Sequence, residues 1–185
     1  MALANYVKTC SKNTPGNQYQ VFIAPKGSTT ALAETSGEIS TLTAAADAFK
    51  RVQADIDTVQ FTQEGTFSTS GGYTQNLIMK FSNPSTELNT LVDALTAGIA
   101  CGFEVIWVDG NGKVWLAGVS LTTKEGSTRP FNRMTTSFDS GLLMTDEGVQ
   151  ADTITLTRLS GYRPVELDDT LAAAVKSGTA TYIDW

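Results

Sequence analysis

Histidine is absent from the 185 residues, and with it go the commonest general base and the commonest zinc ligand. Ser-His-Asp and Cys-His catalysis are thereby excluded. Only two cysteines occur, Cys10 and Cys101, far apart and in no C-x-x-C pattern; a metal knuckle or disulfide framework is not expected, and both read as free thiols. No apolar run approaches the roughly 18 residues that a membrane span requires, and Met1 to Pro15 holds no continuous apolar stretch of leader type. The expectation is synthesis in the cytosol without membrane insertion. Charge is scarce too. Charged residues make up 17% of the chain, the 13 Lys and Arg form no run, and the net charge is −6, so the electrostatic footprint of sequence-specific nucleic-acid binding is missing. A mildly acidic surface lets DNA pass close by without adhering, because like charges repel.

Catalytic signatures are missing as well: no G-x-S-x-G, Walker A or G-x-G-x-x-G pattern occurs. Asp109-Gly110-Asn111-Gly112-Lys113 begins like a calcium loop, but a cation stands where an oxygen ligand is wanted and no glutamate follows at the twelfth position; it reads as a turn. Asp168-Asp169 is a pair that the dipole of a helix start accounts for. The chain is read as a non-enzyme, with no catalytic residue, cofactor or metal site assigned.

What the sequence does contain is β pattern. The strongest stretch is Phe103 to Leu121, FEVIWVDGNGKVWLAGVSL, in which Val105, Trp107, Val114 and Leu116 flank a Gly-rich tetrapeptide that tolerates positive φ. It predicts a hairpin. Tyr19 to Ala24 predicts a first strand, closed by Pro25 and the loop Lys26-Gly27-Ser28. In the next region Leu42, Ala45, Phe49, Val52 and Ile56 recur at three- and four-residue intervals, which predicts a helix at about 43–54 after a short strand or loop at Glu38-Ile39-Ser40. Thr58–Thr69 and Tyr73–Ser82 predict an antiparallel pair with a Gly-Ser-Thr tip, and Leu77, Met79 and Phe81 share one face of the second strand. Asn83-Pro84 reads as the start of a helix running to about Ala100, with a stripe of Leu88, Leu91, Val92, Leu95 and Ile99, ended by Gly102. Asn132–Met144 alternates, with a bulge expected at Ser140-Gly141, and Thr153–Leu159 is a half-buried strand with Ile154 and Leu156 inward. A short helix is expected over 167–176, then an apolar tail, Tyr182-Ile183-Asp184-Trp185.

The fold class expected is α+β and β-dominated: an antiparallel β-sandwich or barrel flanked by a helix at about 84–100, with extended loops and terminal arms. The divisions are an N-terminal arm at 1–18, one domain at 19–178 and a C-terminal tail at 179–185. A tryptophan at the last position is hard to bury in its own domain, so the tail is expected to dock on a neighbouring copy.

In order and pattern, the strands, the helix opened by Asn83-Pro84-Ser85, the aromatic hairpin and the strand Thr153-Ile154-Thr155-Leu156-Thr157 resemble the tail tube (major tail) proteins of tailed bacteriophages. That resemblance spans about residues 19–165. It implies a structural virion protein that assembles into hexameric rings stacked as a tube, with an acidic lumen that conducts the genome passively. It also implies partners among identical copies and other virion tail proteins, and location in the virion tail after synthesis in the host cytoplasm. Mapped onto this chain, the Thr58–Ser82 hairpin becomes the arm between subunits or rings, followed by 1–18 and 182–185; the implied interface residues are Glu64, Gly65, Phe67, Gly71, Gly72, Tyr73, Tyr182 and Trp185. The extra helices at 43–54 and 167–176 keep a tail-terminator or connector ring protein open. A carbohydrate- or protein-binding β-sandwich module, with Trp107, Trp115 and Tyr73 as its platform, is the reading from another class.

Overall fold

A computed structural model of the chain describes residues 3, 20–55, 58–66, 72–82, 85–119, 130–139 and 151–184. In chain order its elements are β1 (Gln20–Pro25), β2 (Thr29–Thr35), β3 (Glu38–Ala44), β4 (Phe49–Gln53), β5 (Gln60–Thr66), β6 (Gly72–Ser82), α1 (Thr86–Gly98), β7 (Phe103–Val108), β8 (Val114–Ala117), β9 (Arg133–Asp139), β10 (Ala151–Ser160), β11 (Val165–Leu167), α2 (Asp169–Ser177) and β12 (Ile183–Asp184). They form an eight-stranded sheet in the order β12-β4-β1-β7-β8-β11-β3-β2 and a four-stranded sheet in the order β5-β6-β10-β9. The fold is α+β and β-dominated, with curled sheets of sandwich or barrel type.

The expected hairpin is the middle of the larger sheet, β7 pairing with β8 through Trp107↔Trp115 and Val108↔Val114. Every residue of β7 is buried. Phe103, Val105 and Trp107 enter a core shared with Leu77 and Met79 of β6, Leu88 and Leu95 of α1, and Ile154 and Leu156 of β10. Ile106 and Val108 enter a second core with Phe49, Leu116, Val175 and Tyr182, next to α2. A strand covered on both faces has no polar phase, which is why FEVIWV reads as a nearly unbroken apolar run. Its turn is built by Asp109, whose Oδ1 accepts from the amides of Asn111 and Lys113 at 2.8 and 2.9 Å. Beyond β8, Gly118 is obligatory: its φ is +92°, and a Cβ there would lie 2.6 Å from the Phe103 carbonyl oxygen.

Glu104 is the one charged residue in this strand, 3% exposed. It is satisfied by the amides of Gly27 (2.6 Å) and Thr29 (3.0 Å) and the Thr29 hydroxyl (2.7 Å), tying the β1–β2 turn to the sheet centre. Burial raises its pKa, against the opposing pull of these donors and of Lys26.

The helix expected at 43–54 is instead part of β3, a turn and β4. Two effects imitate a helical period there. In β3 the partners shift between Ala33↔Thr41 and Glu34↔Ile39, leaving Ser40 as an extra residue; this bulge brings Ile39 and Leu42, three apart, into one core. In β4, Phe49 enters the second core and Val52 the first, so the three-residue interval joins opposite faces of one strand. Asp47, with φ +56°, interrupts any helix through the region. β2 lies before this stretch, joined to β3 by Ser36-Gly37, both with positive φ, as the tight hairpin turn requires.

Helix α1 matches its expected stripe, burying Leu88, Leu91, Ala94 and Leu95. Its cap is Ser85, whose hydroxyl accepts from the Leu88 amide at 3.2 Å, rather than Asn83. Leu167, expected in the last helix, closes strand β11; α2 follows, capped by Asp168 and terminated by Gly178 in the left-handed conformation. The expected separate tail is corrected too: Ile183–Asp184 is strand β12, parallel to β4. Expectations for 4–19, the tip 67–71, the bulge at Ser140-Gly141 and the turn at 146–148 lie outside the described residues.

Candidate functional site

The two sheets differ in how completely they are covered. In the smaller one, Leu77, Met79, Phe81, Ile154 and Leu156 face the shared core and are buried. Alternation places the opposite residues on the outer face, where the register aligns Thr153 with Lys80 and Ser137, Thr155 with Ile78 and Thr135, and Thr157 with Asn76 and Arg133. One cross-strand row is hydrogen-bonded: the Thr157 hydroxyl donates to Asn76 Oδ1 at 2.8 Å, and Asn76 Nδ2 reaches the Thr62 hydroxyl at 3.5 Å. Charges on this face are few among the described residues. By register, Glu64 and Asp139 share this phase with Lys80 and Arg133, so its charges balance.

Both edges of this sheet, β5 and β9, have a neighbour on one side only among the described residues. Strand β9 is exposed along nearly its whole described length, and on it Phe138 is 60% exposed. An exposed edge strand is a template for further pairing.

The expected interface residues separate into groups. Glu64, Gly65, Gly72 and Tyr73 do come together at one end of the β5–β6 pair, through Glu64↔Thr74, Gly65↔Tyr73 and Thr66↔Gly72. Tyr73 covers the glycine across the strands, since a Cβ on Gly65 would lie 3.2 Å from its ring, and the Arg163 guanidinium sits 5.9 Å from the ring centroid. Phe67, Gly71 and Trp185 lie outside the described residues. Tyr182 is corrected: it is 7% exposed, in the second core of its own chain, edge-on to Phe49 at 6.2 Å. Burial and, secondarily, Asp168 push its hydroxyl pKa up to about 12. That hydroxyl has no hydrogen-bond partner among the described residues.

The aromatic platform is corrected in part. Trp107 is 4% exposed and stacks on Phe61 at 4.8 Å, so it is core. Trp115 is half-buried and forms the wall of an open cleft of about 410 Å³ whose lining includes Val59, Phe61, Gln63, Arg163 and Pro164. Its indole N–H donates to Asp109 Oδ2 at 2.9 Å. Deeper in, Arg158 is 1% exposed: its Nε donates to Gln75 Oε1 at 2.5 Å, Gln75 Nε2 donates to Gln63 Oε1 at 2.7 Å and to the Tyr162 carbonyl at 3.0 Å, and the guanidinium lies 5.4 Å over Phe131. Burial lowers the Arg158 pKa to about 10.

Sequence reasoning missed Glu104, the Arg158–Gln75 pair and the cleft beside Trp115. A signal existed for the pair, because Gln75 and Arg158 fall on the inward phase of strands whose other inward residues are apolar. None existed for the cleft, whose walls come from segments far apart in sequence. Comparison of the chain with family models, curated proteins and solved structures finds no match.

Proposed function

We propose that the chain is a structural subunit of a phage tail or tail-like particle, closing into rings that stack as a tube. The supporting observation is the unfinished state of the four-stranded sheet. One face is packed along β6 and β10, the other carries mainly hydroxyl and amide side chains, and both edges are open among the described residues. Edge β5 of one copy meeting edge β9 of the next is a heterologous contact, and repeated with a closing rotation such a contact gives a ring. The end of the β5–β6 hairpin, at Glu64, Gly65, Gly72 and Tyr73, would serve as the arm between subunits or rings. DNA would pass without specific binding, and the other partners are tail proteins of the same particle. A terminator or connector ring uses the same contacts without stacking.

The test is negative-stain microscopy and sedimentation of the purified chain, beside Thr135→Lys/Ser137→Lys on β9. Rings or tubes that the double variant abolishes, with its monomer still folded, are the expected result. A monodisperse monomer at high concentration would sink the proposal.

A further inference from the structure

The cleft beside Trp115 lies between the larger sheet and the inner side of β5, which contributes Phe61 and Gln63, and its chemistry differs from that of the hydroxyl-rich face. We propose that it is a carbohydrate-binding site for a neutral oligosaccharide. Four observations support this.

First, the cleft has the dimensions of a ligand site, about 410 Å³, within the usual few hundred cubic ångströms for such sites. A second cavity of about 360 Å³ shares Trp115, Arg163 and Pro164 with it and continues toward Ser36 and Glu38. The concavity therefore runs along both sides of the indole, as a chain of linked rings needs.

Second, the aromatic surface is preorganised. Trp115 is fixed by its bond to Asp109, Asp109 is fixed by the amides of Asn111 and Lys113, and Phe61 is fixed by stacking on Trp107. A sugar packs its C–H face on such a surface at little cost in protein ordering.

Third, polar side chains accompany the apolar wall: Gln63 and Arg163 line the first cavity, and Glu38 and Glu166 the second. These are the mixed donors and acceptors that ring hydroxyls use.

Fourth, charge and backbone select among ligand classes. In the first cavity Asp109 balances Arg163, and in the second Glu166 is paired with Lys113, so nothing there attracts a polyanion such as nucleic acid. The wall strands β8 and β11 lie inside the eight-stranded sheet with both neighbours in place, so neither offers a free edge to which an extended peptide could add; β5, which brings Phe61 and Gln63 to the cleft, is an edge strand, and the decapeptide below tests it.

Isothermal titration calorimetry and tryptophan fluorescence of the whole chain, with maltohexaose, cellohexaose and chitohexaose in turn, test the proposal. At least one should bind saturably below about 10 mM, with an affinity unchanged by added salt. Trp115→Ala should weaken it about tenfold or more, with circular dichroism unaltered. Should that variant misfold, Arg163→Ala at the exposed rim supplies the second test, with a few-fold loss expected. The proposal is overturned if none of the three binds, if both variants bind as the parent does, or if a proline-rich decapeptide binds and the sugars do not. Ring assembly shares β5 with this cleft but is read separately, by microscopy and sedimentation, so a chain that assembles without binding sugar, or binds sugar without assembling, tells the two proposals apart.

Discussion

The eight-stranded and four-stranded sheets are made of the same kinds of residue and are finished to different degrees. At its centre the larger sheet has both faces occupied, one core beneath β6, β10 and α1 and another beside α2, and even its buried carboxylate has three donors. The smaller sheet has one core face, one face of hydroxyls and amides, and two open edges. The centre of the first is shaped chiefly by stability, because the chain itself covers both of its faces. The second leaves hydrogen-bonding capacity and surface available to another molecule, which is where the proposed self-association would act.

That contrast can be broken or sharpened by substitution. The largest effect is expected in the doubly covered strand: Ile106→Ala should cost about 2–5 kcal/mol in a denaturant titration, and a loss below 1 kcal/mol would show that the second core is not well packed. Next comes Glu104→Ala, which takes the acceptor from the Gly27 and Thr29 amides, loosens the β1–β2 turn and should cost about 1–3 kcal/mol. Glu104→Gln tests the charge itself. Because burial raises the folded pKa above the ordinary 4.5, the folded state holds this proton more tightly than the unfolded one. The group's contribution is therefore fully present below pH 4.5 and is lost as pH rises through the raised value. The parent should lose stability relative to Glu104→Gln over that window, and parallel pH profiles would contradict the sign. A smaller change, of opposite sense, is expected for Tyr182→Phe: removing a buried hydroxyl without a partner should leave stability unchanged or raise it by up to about 1 kcal/mol, read as a shift in midpoint. Smallest is Thr155→Val on the outer face, expected within about 0.5 kcal/mol of the parent in the monomer; a large loss would mean that this face is not a spare surface.

Legibility in the sequence followed the same division. Where a strand or helix buries one face, its residues announce it: Leu77-Met79-Phe81, Ile154-Leu156 and the Leu88-Leu91-Leu95 stripe all lie where the pattern put them. The hairpin at Asp109–Lys113 was equally plain, because its turn chemistry is local. Where a strand serves two cores or carries a bulge, the period is corrupted, and Leu42, Phe49 and Val52 were read as part of a helix for that reason. The dipeptide Ser36-Gly37 carried the correcting signal, a tight turn that divides β2 from β3. Tyr182 was misplaced on different grounds: near a chain end, nothing local indicates that a strand as short as β12 will pair with β4.

By itself, then, the sequence determined the β-dominated class, the central hairpin, both helices near 86–98 and 169–177, and the lack of histidine-based chemistry, since each of these rests on local propensity, alternation or composition. Only the tertiary structure decided that β7 is covered on both sides, that Tyr182 is core, that Glu104 fastens a turn 75 residues away, and that Trp115 is the more exposed of the two hairpin tryptophans lining a cleft. These depend on which distant segments meet, and the spacing of residues along one strand carries no record of what packs against it.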